Sequence, residues 1–169
     1  MWEPGFEYDE RLIAGLNGYA RSFCMRSIHH RGTPEVPGLV LALDKMEQAN
    51  CMGLALRVRS GQEAQTLDYL RERELISSAY LEATVDVELA DARRVAATTF
   101  IVDTNHVQYC RDLALEDQAK IIATAVGGRG PNTDYLHNTT THLRELGIED
   151  PDLDWLSNRV HEIAVSANA

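Results

Sequence analysis

Apolar and polar positions change rhythm along this chain. From Arg11 to Ser27, from Gly38 to Asp44 and from Met52 to Val58, short apolar runs of Val, Leu, Ile and aromatic residues are broken by Gly, Pro and Asn, which predicts strands. Leu81 to Leu89 alternates apolar and polar residues, whereas Val95 to Val102 is almost continuously apolar and β-branched. With Asp91 to Arg94 able to turn the chain, these two segments read as a hairpin with one strand half exposed and the other more deeply buried. Beyond Tyr109 the period becomes helical. Leu115, Ala119, Ile122, Ala123 and Val126 recur at helical spacing until Gly127-Gly128 stops them. A second helix opens at Pro131-Asn132-Thr133-Asp134, where Pro suits the start and the polar residues can cap free amides, and runs to Leu146 before Gly147. A third is predicted from Asp152 to Val165. Strands followed by helices, without βαβ alternation, predict an α+β fold with an antiparallel or mixed sheet able to curl into a barrel.

One further helix, Gln62 to Glu74, interrupts the strand-rich half. At 100° per residue, with Ala64 as zero, Leu67 falls near about 300°, Leu70 near about 240° and Glu74 near about 280°, while Glu72 at about 80° points elsewhere. The wheel therefore puts Glu74 on the apolar stripe. A carboxylate aimed at the interior pays a desolvation cost that raises its pKa, which suits a general base working on an amine at neutral pH. The competing reading ends the helix before Glu74 and leaves that residue solvated or paired with Arg71 or Arg73.

Composition narrows the function classes. With 169 residues, 44% of them hydrophobic, the chain has enough apolar material for one domain with a real core, or for a domain and a small appendage. A formal charge of −10 repels phosphate backbones and argues against nucleic acid. No run reaches the ~18–20 apolar residues a membrane span needs, and the first residues lack a signal-peptide pattern, so a cytoplasmic location is expected. Cys24, Cys51 and Cys110 form no CxxC pair and read as reduced, packed thiols.

Other candidate chemistry gives way to plainer readings. His29-His30 lie adjacent and, if extended, point to opposite faces, and the remaining histidines show no HxH or HExxH spacing, so no metal site is expected. Gly127-Gly128-Arg129-Gly130 follows a helix and lacks a GK[ST] ending, which makes it a turn and not a phosphate loop. No nucleophile elbow surrounds Ser27, Thr33 or the cysteines. The acidic stretch Glu145 to Asp154 reads as a solvated connection.

Four blocks, taken in order, carry more information than any periodicity. They are Trp2-x-Pro4-Gly5-Phe6; Ser27-x-x-His30-Arg31-Gly32-Thr33-Pro34-x-x-Pro37-Gly38; Tyr69-Leu70-x-x-Arg73-Glu74; and Gly130-Pro131-Asn132-x-Asp134-Tyr135-Leu136-x-Asn138-Thr139. Together they resemble the ChaC family of glutathione-specific γ-glutamylcyclotransferases over about Met1 to Leu156. The resemblance implies one mixed α/β domain across residues 1–169 built on a small β-barrel, with no metal or organic cofactor. It also implies cleavage of reduced glutathione to 5-oxoproline and Cys-Gly, by a monomer that needs neither nucleic acid nor membrane.

Carried over residue by residue, the family's catalytic glutamate falls on Glu74, the residue the helical wheel selects. Arg31 could pair with a substrate carboxylate and Tyr135 could donate a hydrogen bond; the alternatives are a turn-stabilising role for Arg31 and core packing for Tyr135. The family pattern opens with a strand and a Tyr-Gly-Ser-Leu turn that holds the γ-glutamyl group. Met1 matches the apolar residue just after that turn and is the third substrate-binding candidate. The expectation is a start further upstream, with a shortened protein as the alternative. Rival functions are a cyclotransferase for other γ-glutamyl amines, a non-catalytic γ-glutamyl-binding protein, and an acidic interaction module.

Overall fold

The computed structural model describes residues 4–167. Two long strands come first, β1 (Tyr8–Ser27) and β2 (Gly38–Val58), then helix α1 (Glu63–Glu74) and the hairpin β3 (Tyr80–Leu89) and β4 (Arg94–Val102). Helix α2 (Leu115–Thr124) leads through the two-residue strands β5 (Val126–Gly127) and β6 (Gly130–Pro131) into α3 (Asn132–Glu145) and α4 (Pro151–Ala167). The chain divides into two compact units, Met1–Ser22 with Leu43–Val107, and Phe23–Ala42 with Gln108–Ala169. Among the described residues no helix is long and apolar enough to cross a membrane.

The α+β class stands, but the sheet is not closed. Its order is β2-β1-β3-β4, and a barrel would require β2 to pair with β4, a pairing absent among the described residues. Gly38–Asp44 and Met52–Val58 belong to one strand instead of two. The intervening Lys45 to Gln48 are polar or exposed because β2 lies at the end of the sheet, where side chains can face water without breaking the backbone ladder. β4, expected to be deeply buried, alternates exposed and half-buried residues up to Thr99, and only Val102 is fully buried, because it too is an end strand.

In the first unit, Ala14, Leu16, Val87 and Leu89 form the apolar cluster on one face of the sheet. The β3–β4 hairpin is in register from Tyr80↔Val102 to Glu88↔Arg94. β1 pairs with β3 only at Ala14↔Leu89 and Gly15↔Glu88. Three residues later Gly18 takes φ +81°, a conformation that glycine adopts without steric cost, and Gln48 on β2 is also left-handed at φ +67°.

In the second unit, α2 contributes Ala119 and Ile122, α3 Leu136 and Leu143, and α4 Leu153, Leu156 and Val160 to a buried helical core. α3 ends as the sequence expects. Gly147 turns left-handed at φ +70°, its N–H bonds Arg144, and the Ile148 N–H reaches back to the Leu143 carbonyl at 2.9 Å. Ile148 and Leu143 are both buried, completing the apolar contact that accompanies such a helix stop.

Candidate active site

Helix α1 ends on Glu74, and Leu75 caps it through a bond from its N–H to the Arg71 carbonyl. The inward arc of the helix differs from the simple wheel. Ala64 is exposed, Thr66 is buried, and Leu67, Leu70, Arg73 and Glu74 are half-buried, which centres the arc near Leu70. Glu74 lies within that arc, with its side chain 22% exposed, and Glu72 is exposed as expected. A single apolar alanine set the wheel's phase too far to one side.

Of the two arginines that could pair with Glu74, Arg73 does. Its Nε donates to Glu74 Oε1 at 2.9 Å. Arg71 is engaged elsewhere, on Glu82 at 2.6 Å and Asp68 at 3.3 Å. The Arg73 Nη1 donates to the Pro4 carbonyl and to the Tyr69 hydroxyl, both at 2.9 Å, and its guanidinium lies 5.1 Å from the Tyr69 ring centroid. Gly5, at φ +80°, lies so close to the Tyr69 hydroxyl that a Cβ there would overlap it. The first and third sequence blocks thus meet at the end of α1.

The second and fourth blocks meet in the other unit. The Asn132 side chain is fully buried and binds the backbone of Leu39 on both sides: the Leu39 N–H donates to Oδ1 at 2.6 Å, and Nδ2 donates to the Leu39 carbonyl at 2.8 Å. It is not a helix cap; α3 has Pro131 at that position and no capping side chain. Arg31 Nη1 donates to the carbonyls of Arg129 at 2.7 Å and Pro131 at 3.1 Å, and the Arg31 N–H donates to Ser27 Oγ at 2.9 Å. Arg31 has no carboxylate partner among the described residues. Tyr135 accepts from the Leu41 N–H at 3.3 Å, packs edge-on against Phe23 with ring centroids 6.0 Å apart, and lies under the Arg31 guanidinium at 5.6 Å. The contacts of Arg31 and Tyr135 are therefore those of turn-stabilising and packing residues. Met1 lies outside the described residues.

Gly127-Gly128 does not stop α2, which ends at Thr124 with Ala125 already extended and Val126–Gly127 forming β5; the glycines serve a close backbone approach instead. The Gly128 N–H donates to His29 and the Arg129 N–H to His30, at 2.7 and 2.9 Å, while a Cβ on Gly127 would collide with the backbone of His30, Arg31 and Gly32. This places glycine where two backbones must touch. Burial, together with the nearby positive charges of Arg129 and Arg31 and with His29, lowers the pKa of His30. Asn132, which unites the blocks, escaped the sequence reading because its partner lies 93 residues away; the available signal was its place inside a recognisable block.

Comparison with known proteins places this geometry in a family. The sequence pattern of the ChaC-like protein family matches residues 1–163. The chain is 36% identical over 154 residues to the glutathione-specific γ-glutamylcyclotransferase of Escherichia coli, covering 91% of this chain and 66% of that protein. It is 32% identical to γ-glutamylcyclotransferase 2-3 of Arabidopsis thaliana, covering 96% of this chain and 85% of the relative. A crystal structure of a glutathione-specific γ-glutamylcyclotransferase from yeast superposes with a TM-score of 0.79 at 21% identity, over 94% of this chain and 92% of that one, so the fold is shared. The fold and the sequence together define a γ-glutamylcyclotransferase-type protein. The chain belongs to the ChaC-like family.

Proposed function

We propose that this protein degrades glutathione in the cytoplasm by cyclising its γ-glutamyl group, releasing 5-oxoproline and Cys-Gly, with Glu74 as the general base. Family membership supports the reaction. The observation that carries the base assignment is the half-buried carboxylate at the end of α1, which has one oxygen held by Arg73 and no partner on Oε2 among the described residues.

In this reading Glu74 takes a proton from the substrate α-ammonium. The freed amine attacks the γ-glutamyl carbonyl and gives up a second proton as it becomes the lactam nitrogen, the C–N bond to the cysteinyl residue breaks, and the departing amine takes both protons to leave as an ammonium. Nucleophile and electrophile belong to one molecule, so no water or covalent enzyme intermediate is required, and well-oriented intramolecular reactions reach effective molarities on the order of 10⁵ M or more. One carboxylate with a defined proton-accepting oxygen is a sufficient chemical inventory. Arg31, which has no carboxylate partner among the described residues and spends only Nη1 on the Arg129 and Pro131 carbonyls, serves as a recognition group for a substrate carboxylate, with Tyr135 as a hydrogen-bond donor.

Mass spectrometry of millimolar reduced glutathione incubated with the protein tests the reaction. Equal amounts of 5-oxoproline and Cys-Gly are expected, and neither with Glu74→Gln. Full activity in Glu74→Gln would remove the base assignment, and equal turnover of γ-glutamyl-alanine would widen the substrate class beyond glutathione.

A further inference from the structure

On a regular helix, neighbours i and i+1 do not face each other, yet Arg73 and Glu74 pair at 2.9 Å. Two features make the pairing possible. Glu74 is the last residue of α1, where the next turn no longer constrains it. Arg73 is drawn back over Tyr69, one helical turn earlier, where its Nη1 is shared between the tyrosine hydroxyl and the Pro4 carbonyl. The Tyr69 ring lies beneath the guanidinium, and the Pro4-Gly5 turn is pressed against the tyrosine hydroxyl.

The location is also electrostatically unusual. The C-terminal end of a helix carries partial negative charge, so a carboxylate there is disfavoured before any partner is counted. The neighbouring guanidinium offsets that field, and because it binds Glu74 through Oε1 it leaves Oε2 without a partner among the described residues.

We infer that Arg73 is the positioning residue of the reaction: braced by Tyr69 and the Pro4-Gly5 turn, it grips Oε1 of Glu74 and so dedicates Oε2 to the substrate proton. This rests on Glu74 being the base. Arg73 touches no reacting atom; it acts through the orientation of its neighbour, and a misplacement of about 1 Å at such a site can cost on the order of 10²-fold in rate.

Steady-state kinetics with glutathione test this, using Arg73→Ala, Arg73→Lys, Tyr69→Phe and Glu74→Gln beside the parent protein. In Arg73→Ala, kcat is expected to fall roughly 10- to 100-fold with KM nearly unchanged, the pattern of an interaction that matters only in the transition state. Guanidinium ion at tens of millimolar should restore part of the lost kcat, because it can reoccupy the vacated position. Arg73→Lys should fall between the two, since an ammonium cannot reproduce the fork that binds carboxylate and tyrosine together. Tyr69→Phe should lose severalfold in kcat, because Nη1 keeps only the Pro4 carbonyl of its two braces.

An Arg73→Ala protein with parental kcat, or one whose loss follows KM and does not respond to guanidinium, would overturn the positioning role. Should Arg73→Ala fail to fold, Arg73→Lys and Tyr69→Phe carry the same test, and parental kcat in both would overturn it. Glu74→Gln separates the two levels: full activity there removes the base and the positioning role together, whereas an inactive Glu74→Gln beside a fully active Arg73→Ala removes only the latter.

Discussion

The four sequence blocks collapse into two constellations of opposite character. At the end of α1, the first and third blocks assemble charged, half-exposed groups, with Arg73 joining Tyr69, Glu74 and the Pro4 carbonyl. In the other unit, the second and fourth blocks assemble backbone, glycines and a fully buried Asn132 that replaces a strand partner for Leu39. The first arrangement leaves an oxygen atom available for chemistry. The second spends its Asn132 amide and the Nη1 of Arg31 on the chain's own backbone. Recognisable motif blocks thus mark two different arrangements, a half-buried ion pair in one place and close backbone approach in the other.

That contrast predicts separable phenotypes. Glu74→Gln should lower turnover by about 10²-fold or more while leaving the melting temperature unchanged, as the change removes a base and is nearly isosteric; kinetics and thermal denaturation of the same preparation check it. A large loss of stability would mean that Glu74 is architectural after all. Asn132→Ala should do the reverse. It strands a buried N–H and carbonyl of Leu39, at a cost of about 3 kcal/mol, which for a chain of this size lowers the melting temperature by roughly 6–12 °C. Gly127→Ala should cost roughly 1–3 kcal/mol, because the added Cβ meets backbone atoms that cannot swing aside. Glu72→Gln, one turn-face away from Glu74, should leave turnover close to the parent value.

The smallest expected effect is a dependence on acid. The hydrogen bond from Arg159 holds Glu116 below its ordinary value of 4.5, and Arg71 and Arg93 do the same for Glu82 and Asp91. A carboxylate with a depressed folded pKa contributes its stability above the unfolded value and loses it as pH falls through the folded one. Glu82 and Asp91 are exposed and Glu116 is half-exposed, so the contributions are small. Melting curves between pH 3 and 7 should show Glu116→Gln slightly less stable than the parent at pH 6, by a margin that narrows as the pH falls; a gap that does not narrow would assign the loss to packing.

Much of this was legible in the sequence where structure is local. Helix ends were marked by Gly147 and by the end of the α1 pattern, and the β3–β4 hairpin by alternation and a short turn. Glu74 was legible twice, from helical phase and from family resemblance. The missed features depend on contacts far along the chain. Lys45 to Gln48 looked like a break because their polarity hides a continuing backbone ladder, and Gly127 looked like a helix stop because nothing nearby reveals the backbone of His30 to Gly32 against it. The open sheet was illegible for the same reason: alternation reports which face of a strand is buried, not which strand stands beside it.

The brief contact between β1 and β3 has a kinetic consequence. Nine residue pairs zip β3 to β4, but two pairs and the hydrogen bond from the Ala90 N–H to the Ile13 carbonyl hold the hairpin to β1 before Gly18 bends the longer strand. The hairpin is therefore joined to its sheet by a far weaker seam than the one within it, and partial opening should release it as a unit. In a native-state hydrogen-exchange experiment, amides shared by β3 and β4 should report one common, slow opening. Those of Gly15 and Glu88 should exchange earlier, as the seam between hairpin and sheet lets in solvent.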